Sequence, residues 1–229
     1  MGCRQPALGR KRIQIKNMEI QALASKVVLS LDDDVEVCAL LEHLLWPHRV
    51  IGVAHAYVAL ELLAREAFDL FILDVNLPDM DGVELCQRIH AADPYVPIVF
   101  FSGVADPEEK IAAMNSGAAA YFAKPLDPEA LRDGIEHLLR RAERWNEAAE
   151  REVRDALRAP EGRQALARAL AAGPDSDAAS RLEGVLYRRF IEARGTRAGF
   201  RKLWPTLFDD AVPEVNGATY VAAAAGGSH

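Results

Sequence analysis

Four short apolar runs in this chain each end on residues that can do chemistry. Val27-Val28-Leu29-Ser30-Leu31 runs into Asp32-Asp33-Asp34, and Asp69-Leu70-Phe71-Ile72-Leu73 into Asp74. Val96-Pro97-Ile98-Val99-Phe100-Phe101 leads to Ser102-Gly103, and Ala120-Tyr121-Phe122-Ala123 to Lys124-Pro125. Carboxylates, a hydroxyl and an amine, if gathered at one edge, make a phosphoryl-transfer site. A carboxylate can attack phosphorus and form an acyl phosphate, and cations offset the mutual negative charge.

The elements between these residues must do the gathering. Short apolar runs rich in Val, Ile and Phe read as strands buried on both faces. Stretches of helical period separate them, which predicts βα units and a parallel sheet. Helices are expected at Val35–Leu45, Tyr57–Arg65, Val83–Ala91 and Pro107–Asn115, with a fifth starting at Asp127-Pro128. A further strand is expected at Arg49–Ala54. Right-handed crossovers then give a doubly wound sheet of order 2-1-3-4-5, switching between strands one and three. Ligands in such sheets bind beyond the carboxyl ends of the strands, where all four polar exits point.

The chain has 229 residues, half of them apolar, so it has room for one α/β domain and a smaller second region. No run is long enough to span a bilayer, and no apolar core marks a secretory signal in Met1–Asn17. Cys3, Cys38 and Cys86 are too widely spaced for zinc or redox motifs, which predicts reduced thiols in a cytosol. Charge is uneven: residues 1–26 net +5, 27–143 net −13 and 144–229 net +1. The acidic middle segment would repel nucleic acid.

Residues 25 to about 143 resemble the receiver domain of two-component response regulators. The matching pieces are Leu31-Asp32-Asp33, Leu73 through Gly82 with its Asp-to-Pro-to-Asp-Gly spacing, Ser102-Gly103, and Tyr121 through Pro125. The resemblance implies a flavodoxin-like fold and self-catalysed phosphoryl transfer and dephosphorylation rather than enzymatic turnover. The donor it implies is a histidine kinase or phosphotransfer protein. Asp74 is the expected phosphoacceptor. Asp33 and Asp74 can ligate Mg²⁺ directly, Asp32 can hold one of its waters, and the resemblance adds the backbone carbonyl of Asn76. Without the metal these carboxylates should repel one another and one should titrate high. Lys124 and Ser102 can hold the phosphoryl oxygens, and Gly103 leaves room for the group. Receivers hold the Lys-Pro bond cis, and they rotate an aromatic at the place of Tyr121 when Ser102 is drawn toward phosphate.

Other residues read more plainly. Asp34 is expected to cap the first helix, and Asp79 and Asp81-Gly82 to serve turns and caps. His43, His48, His55, His90 and His137 have no metal spacing and are expected at the surface.

Beyond residue 143 no output module is readable. Leu131, Ile135, Leu138, Ala142, Trp145 and Ala149 keep helical spacing, so the fifth helix is expected to reach Arg158. That seam outlasts the sheet, which predicts either a homodimer through the extended helix or a folded-back tail covering it. Helices are expected at Glu161–Ala172, Asp177–Ala193 and near Arg197–Trp204. The resulting division is a flexible basic leader over 1–24, a receiver over 25–143, a helical output or dimerisation region over 144–208, and a disordered tail over 209–229. Arg181 to Lys202 interleaves basic residues with Tyr187, Phe190 and Phe200, which suits an aromatic core face with an arginine rim better than a nucleic-acid surface. A response regulator acting on a downstream protein is the expected function. The alternative is a DNA-binding transcriptional regulator with an unrecognised helical domain.

Overall fold

The computed structural model describes residues 25–103, 107–173 and 175–209. The expected leader over 1–24 and the tail from 210 onward lie outside these residues. Five strands, β1 (Val27–Leu31), β2 (Arg49–Val53), β3 (Leu70–Leu73), β4 (Ile98–Ser102) and β5 (Ala120–Ala123), form one parallel sheet of order β2-β1-β3-β4-β5. Helices α1 (Val35–Leu44), α2 (Ala56–Arg65), α3 (Gly82–Ala92), α4 (Pro107–Asn115) and the start of α5 (Pro128–Arg158) alternate with the strands. The sheet has the expected order.

Both faces of the sheet are covered. Phe71, Phe100, Leu85 and Ile89 belong to a core beneath α2 and α3, while Val28, Leu70, Val99, Leu41 and Ile135 fill the face under α1 and α5. β3 and β4 are buried along their whole length, as the unbroken apolar runs predict. β5 departs from that expectation, since Ala120–Phe122 are half-buried and Ala123 is exposed. The reason is its place at the sheet edge, where only one neighbouring strand is present.

Helix α5 runs unbroken from Pro128 to Arg158 and joins two cores. Leu131, Ile135, Leu138 and Leu139 pack on the sheet, whereas Ala149, Val153 and Leu157 pack with α6 (Pro160–Ala172), α7 (Asp177–Glu192) and α8 (Arg197–Asp209). The helices after it fold back over the second half of the seam. Trp145 stays half-buried, with the Arg141 guanidinium 5.1 Å from its ring centroid. Tyr187, Phe190 and Phe200 are in or against this second core, so the aromatic letters among the arginines are packing residues. α8 continues through Pro205 to Asp209, past the expected stop near Trp204. Proline loses one backbone hydrogen bond there, but Leu203 and Leu207 hold both sides of it in the core.

Among the described residues no helix is long and apolar enough to cross a membrane.

Candidate functional site

Parallel pairing brings the polar strand exits together. Leu31 is in register with Leu73, and Ser102 with Ala123. The ladder continues one step past the strands, with the Asp74 amide donating to Leu31 O at 2.9 Å and the Lys124 amide to Ser102 O at 2.8 Å. Asp32, Asp74, Ser102 and Lys124 therefore leave the sheet side by side.

Their side chains meet. Lys124 Nζ is 2.5 Å from Asp32 Oδ2 and 3.1 Å from Asp74 Oδ2. The Ser102 hydroxyl donates to Asp74 Oδ1 at 2.5 Å, and the Asn76 amide donates to the same oxygen at 3.3 Å. Asp32 is buried and its Oδ1 accepts the Asp34 amide, while Asp33 is exposed. Carboxylate oxygens of Asp32, Asp33 and Asp74 all lie within 4.8 Å of one another. Oxygen donors of this kind in an open, acidic site suit a hard divalent cation that keeps several waters. The Lys124-Pro125 bond is cis.

The electrostatics refine one expectation. A carboxyl does titrate high, and it is Asp32, but burial is the leading cause; Lys124 and the Asp34 amide oppose it, and repulsion from Asp74 contributes least. Burial pulls the Lys124 ammonium down, yet its bonds to Asp32 and Asp74 outweigh this and hold it above its ordinary value. The site thus carries its own internal counter-ion.

The surrounding loops hold Asp74 in place. A Cβ on Gly82 would overlap the Asp74 carbonyl, so the close approach of α3 behind Asp74 requires glycine. Asp81 caps α3 through the Val83 amide at 2.7 Å, and Asp34 caps α1 through the Glu36 amide at 2.8 Å. Asp79, in the loop before α3, caps α2 instead, accepting the Ala56 and Tyr57 amides at its start. No local spacing could have revealed that, because Asp79 is 22 and 23 residues from its partners. Tyr121 is half-buried, its ring stacks 6.3 Å from Phe100, and its hydroxyl interacts with Ser102. His48 corrects the expectation of surface histidines. Its Nδ1 accepts the Lys26 amide and its Nε2 faces Glu136 at 2.9 Å, tying the start of β1 to α5.

A five-stranded 2-1-3-4-5 sheet with a carboxylate trio, hydroxyl and lysine at its carboxyl edge is the arrangement of a phosphoacceptor receiver. Residues 28–136 match the response regulator receiver domain family, and through them the chain belongs to it. The response regulator protein FleR of Pseudomonas aeruginosa is 40% identical over 112 residues, covering 48% of this chain and 24% of that protein. The transcriptional regulatory protein ZraR of Salmonella typhimurium is 33% identical over 114 residues, covering 49% of this chain and 26% of that one. A CheY-like response regulator receiver domain protein from Methanospirillum hungatei is 31% identical in its crystal structure. The match covers 52% of this chain and 98% of that one, with a TM-score of 0.51. The chain spans about a quarter of the length of the curated relatives it matches. The carboxylates of Asp32, Asp33 and Asp74 match the Mg²⁺-coordinating set of receiver domains.

These geometries separate two neighbouring carboxylates. Asp33→Ala is expected to abolish Mg²⁺ binding, read by titration calorimetry. Asp34→Ala should retain it and lose only a helix cap, about 1 kcal/mol in urea denaturation. Loss of the metal in Asp34→Ala instead would displace the assignment by one residue.

Proposed function

We propose that this chain is a two-component response regulator whose Asp74 accepts a phosphoryl group from a histidine kinase or phosphotransfer protein. The observation that carries this reading is the Asp74 carboxylate itself, held by Ser102 and Lys124 beside two further carboxylates. One Asp74 oxygen attacks phosphorus, the bond to the donor's nitrogen breaks, and an acyl phosphate forms on the chain. Lys124 turns from the Asp32–Asp74 pair toward the new phosphoryl oxygens, and Ser102 donates to another of them. Gly103 leaves open space at that point, since a Cβ there would meet nothing within 4 Å. Asp33, Asp74 and the Asn76 carbonyl would hold Mg²⁺, with Asp32 reaching it through water, and the ion would supply charge neutralisation to the phosphoryl group. The step is self-catalysed by the receiver, and the setting is the cytoplasm.

The readout is a shift in the face built from α4, β5 and α5. Supporting this is the chain of contacts Asp74–Ser102–Tyr121, in which withdrawing Ser102 toward phosphate frees Tyr121 to move inward. The division near residue 143 is supported by the change of core along α5, and residues 144–208 act as the output unit toward a protein partner. A DNA-binding role finds less support: the aromatics of Arg181–Lys202 are in or against the bundle core, and Arg197 and Lys202 bind the receiver.

Incubation with acetyl phosphate and Mg²⁺ should add a single phosphate by intact mass, and Asp74→Asn should add none. Retained modification in Asp74→Asn would overturn the assignment.

A further inference from the structure

A second group of buried charge lies at the opposite, amino-terminal edge of the sheet, where α8 meets the receiver. Asp93 closes α3 and is 1% exposed. Its Oδ2 accepts the Arg197 amide at 3.0 Å, across 104 residues of chain. Its Oδ1 has no partner within hydrogen-bond distance among the described residues. Around it the joint is made by charged residues of α8. Arg197 Nη1 donates to Leu63 O and Arg201 Nη2 to Arg65 O, both at 2.9 Å. Lys202 Nζ donates to Asp69 Oδ1 at 2.7 Å, while Asp69 Oδ2 accepts the Val27 amide. From α5, Asn146 Oδ1 accepts the Thr196 amide at 2.8 Å.

We propose that this edge is a proton-controlled dock: α8 binds the base of the receiver through Asp69 and Asp93, and proton uptake by Asp93 tightens the joint. The inference is independent of phosphoryl transfer at Asp74. An ionised carboxylate with one bare oxygen and almost no water costs more than the neutral acid in the same place. Release of α8 would return Asp93 to water and remove that cost. A proton therefore favours the docked form.

The groups facing Asp93 set the direction. Burial, the largest influence, pushes its carboxyl up to about 6; the Arg197 amide, the Arg197 guanidinium and the Tyr95 amide oppose this, and Asp69 from the start of β3 adds to it. Tyr187 on α7 also faces Asp93 and Arg197. On α3 itself, His90 lies three residues earlier with Nε2 against Val96 O. An acid raised on docking binds more protons in the docked state between its free value of 3.8 and its docked value. The added stability is complete below 3.8 and is lost as pH rises through 6. Docking thus strengthens as pH falls from 7.5 to 5.

Hydrogen exchange of the unphosphorylated full chain tests this directly. After correction for intrinsic rates, α8 peptides should open about tenfold less often at pH 5 than at pH 7.5. Asp93→Asn should exchange without that dependence. Arg197→Gln keeps the backbone amide but removes the cation, so its transition should move to higher pH. A flat wild-type profile would overturn the proposal, as would an unchanged slope in Asp93→Asn. Should Asp93→Asn fail to fold, an unmoved transition in Arg197→Gln would overturn it equally.

Discussion

With Lys124 replaced by methionine, the chain should lose about 3 kcal/mol of stability and nearly all transfer of phosphate from acetyl phosphate. Methionine keeps most of the apolar stem but removes the ammonium 2.5 Å from Asp32 and 3.1 Å from Asp74. Breaking a buried pair by removing one partner leaves the other charge uncompensated, typically at a cost of about 3–5 kcal/mol. The lower end applies because the Lys124 side chain is 21% exposed, against 3% for Asp32. The loss should also depend on pH. Burial already holds the Asp32 carboxyl above its usual value, and Lys124 is the strongest influence opposing it. Without the lysine that carboxyl rises further, so its neutral form is favoured and the ionised form costs more. Stability contributed by the raised acid is present at low pH and lost as pH climbs through the folded value. The deficit of Lys124→Met should therefore be small at pH 4 and grow toward pH 8 in urea denaturation. Equal stability of the two proteins at pH 8 would show that Lys124 does not neutralise the pair.

The second large effect lies in the other core. Phe190 is 1% exposed, meets Phe200 edge-on at 5.6 Å, and closes so tightly on Gly195 that a Cβ there would overlap its ring. Phe190→Ala should remove about 3–5 kcal/mol from the helical bundle through lost burial and the cavity left behind. Because the sheet has separate cores above and below it, the bundle is expected to melt first. Circular dichroism should show an early loss of helix, while Mg²⁺ binding and modification at Asp74 persist to the receiver's own transition. One common transition at lower temperature would instead make α5 a rigid link that joins both units into a single cooperative fold.

Much of the site was legible because its residues follow directly from strands. A residue placed just past a buried parallel strand has little choice of position, so Asp32, Asp74, Ser102 and Lys124 could be placed at one edge from pattern alone. Capping was legible where the partner is two residues away, as for Asp34 and Asp81. It was hidden where the cap crosses from another loop, as for Asp79. His48 was misread for the same reason: its partners, Lys26 and Glu136, are 22 and 88 residues distant. The exposure of β5 was missed because its letters resemble those of the inner strands, and only its edge position distinguishes it.

The sequence by itself determined the sheet, its order, the edge at which Asp32, Asp74, Ser102 and Lys124 gather, and the long fifth helix. Each follows from local periodicity or from chain-topology rules that act on neighbouring elements. Only the tertiary structure decided what covers the seam of that helix and what the basic residues after it do. Arg197 and Lys202 read as a charged rim, yet the Arg197 guanidinium spans 134 residues to Leu63 O and the Lys202 ammonium 133 to Asp69. The worth of a charge depends on the water it keeps and the groups it meets. Both are properties of the packed molecule, set when α8 closes on the base of the receiver.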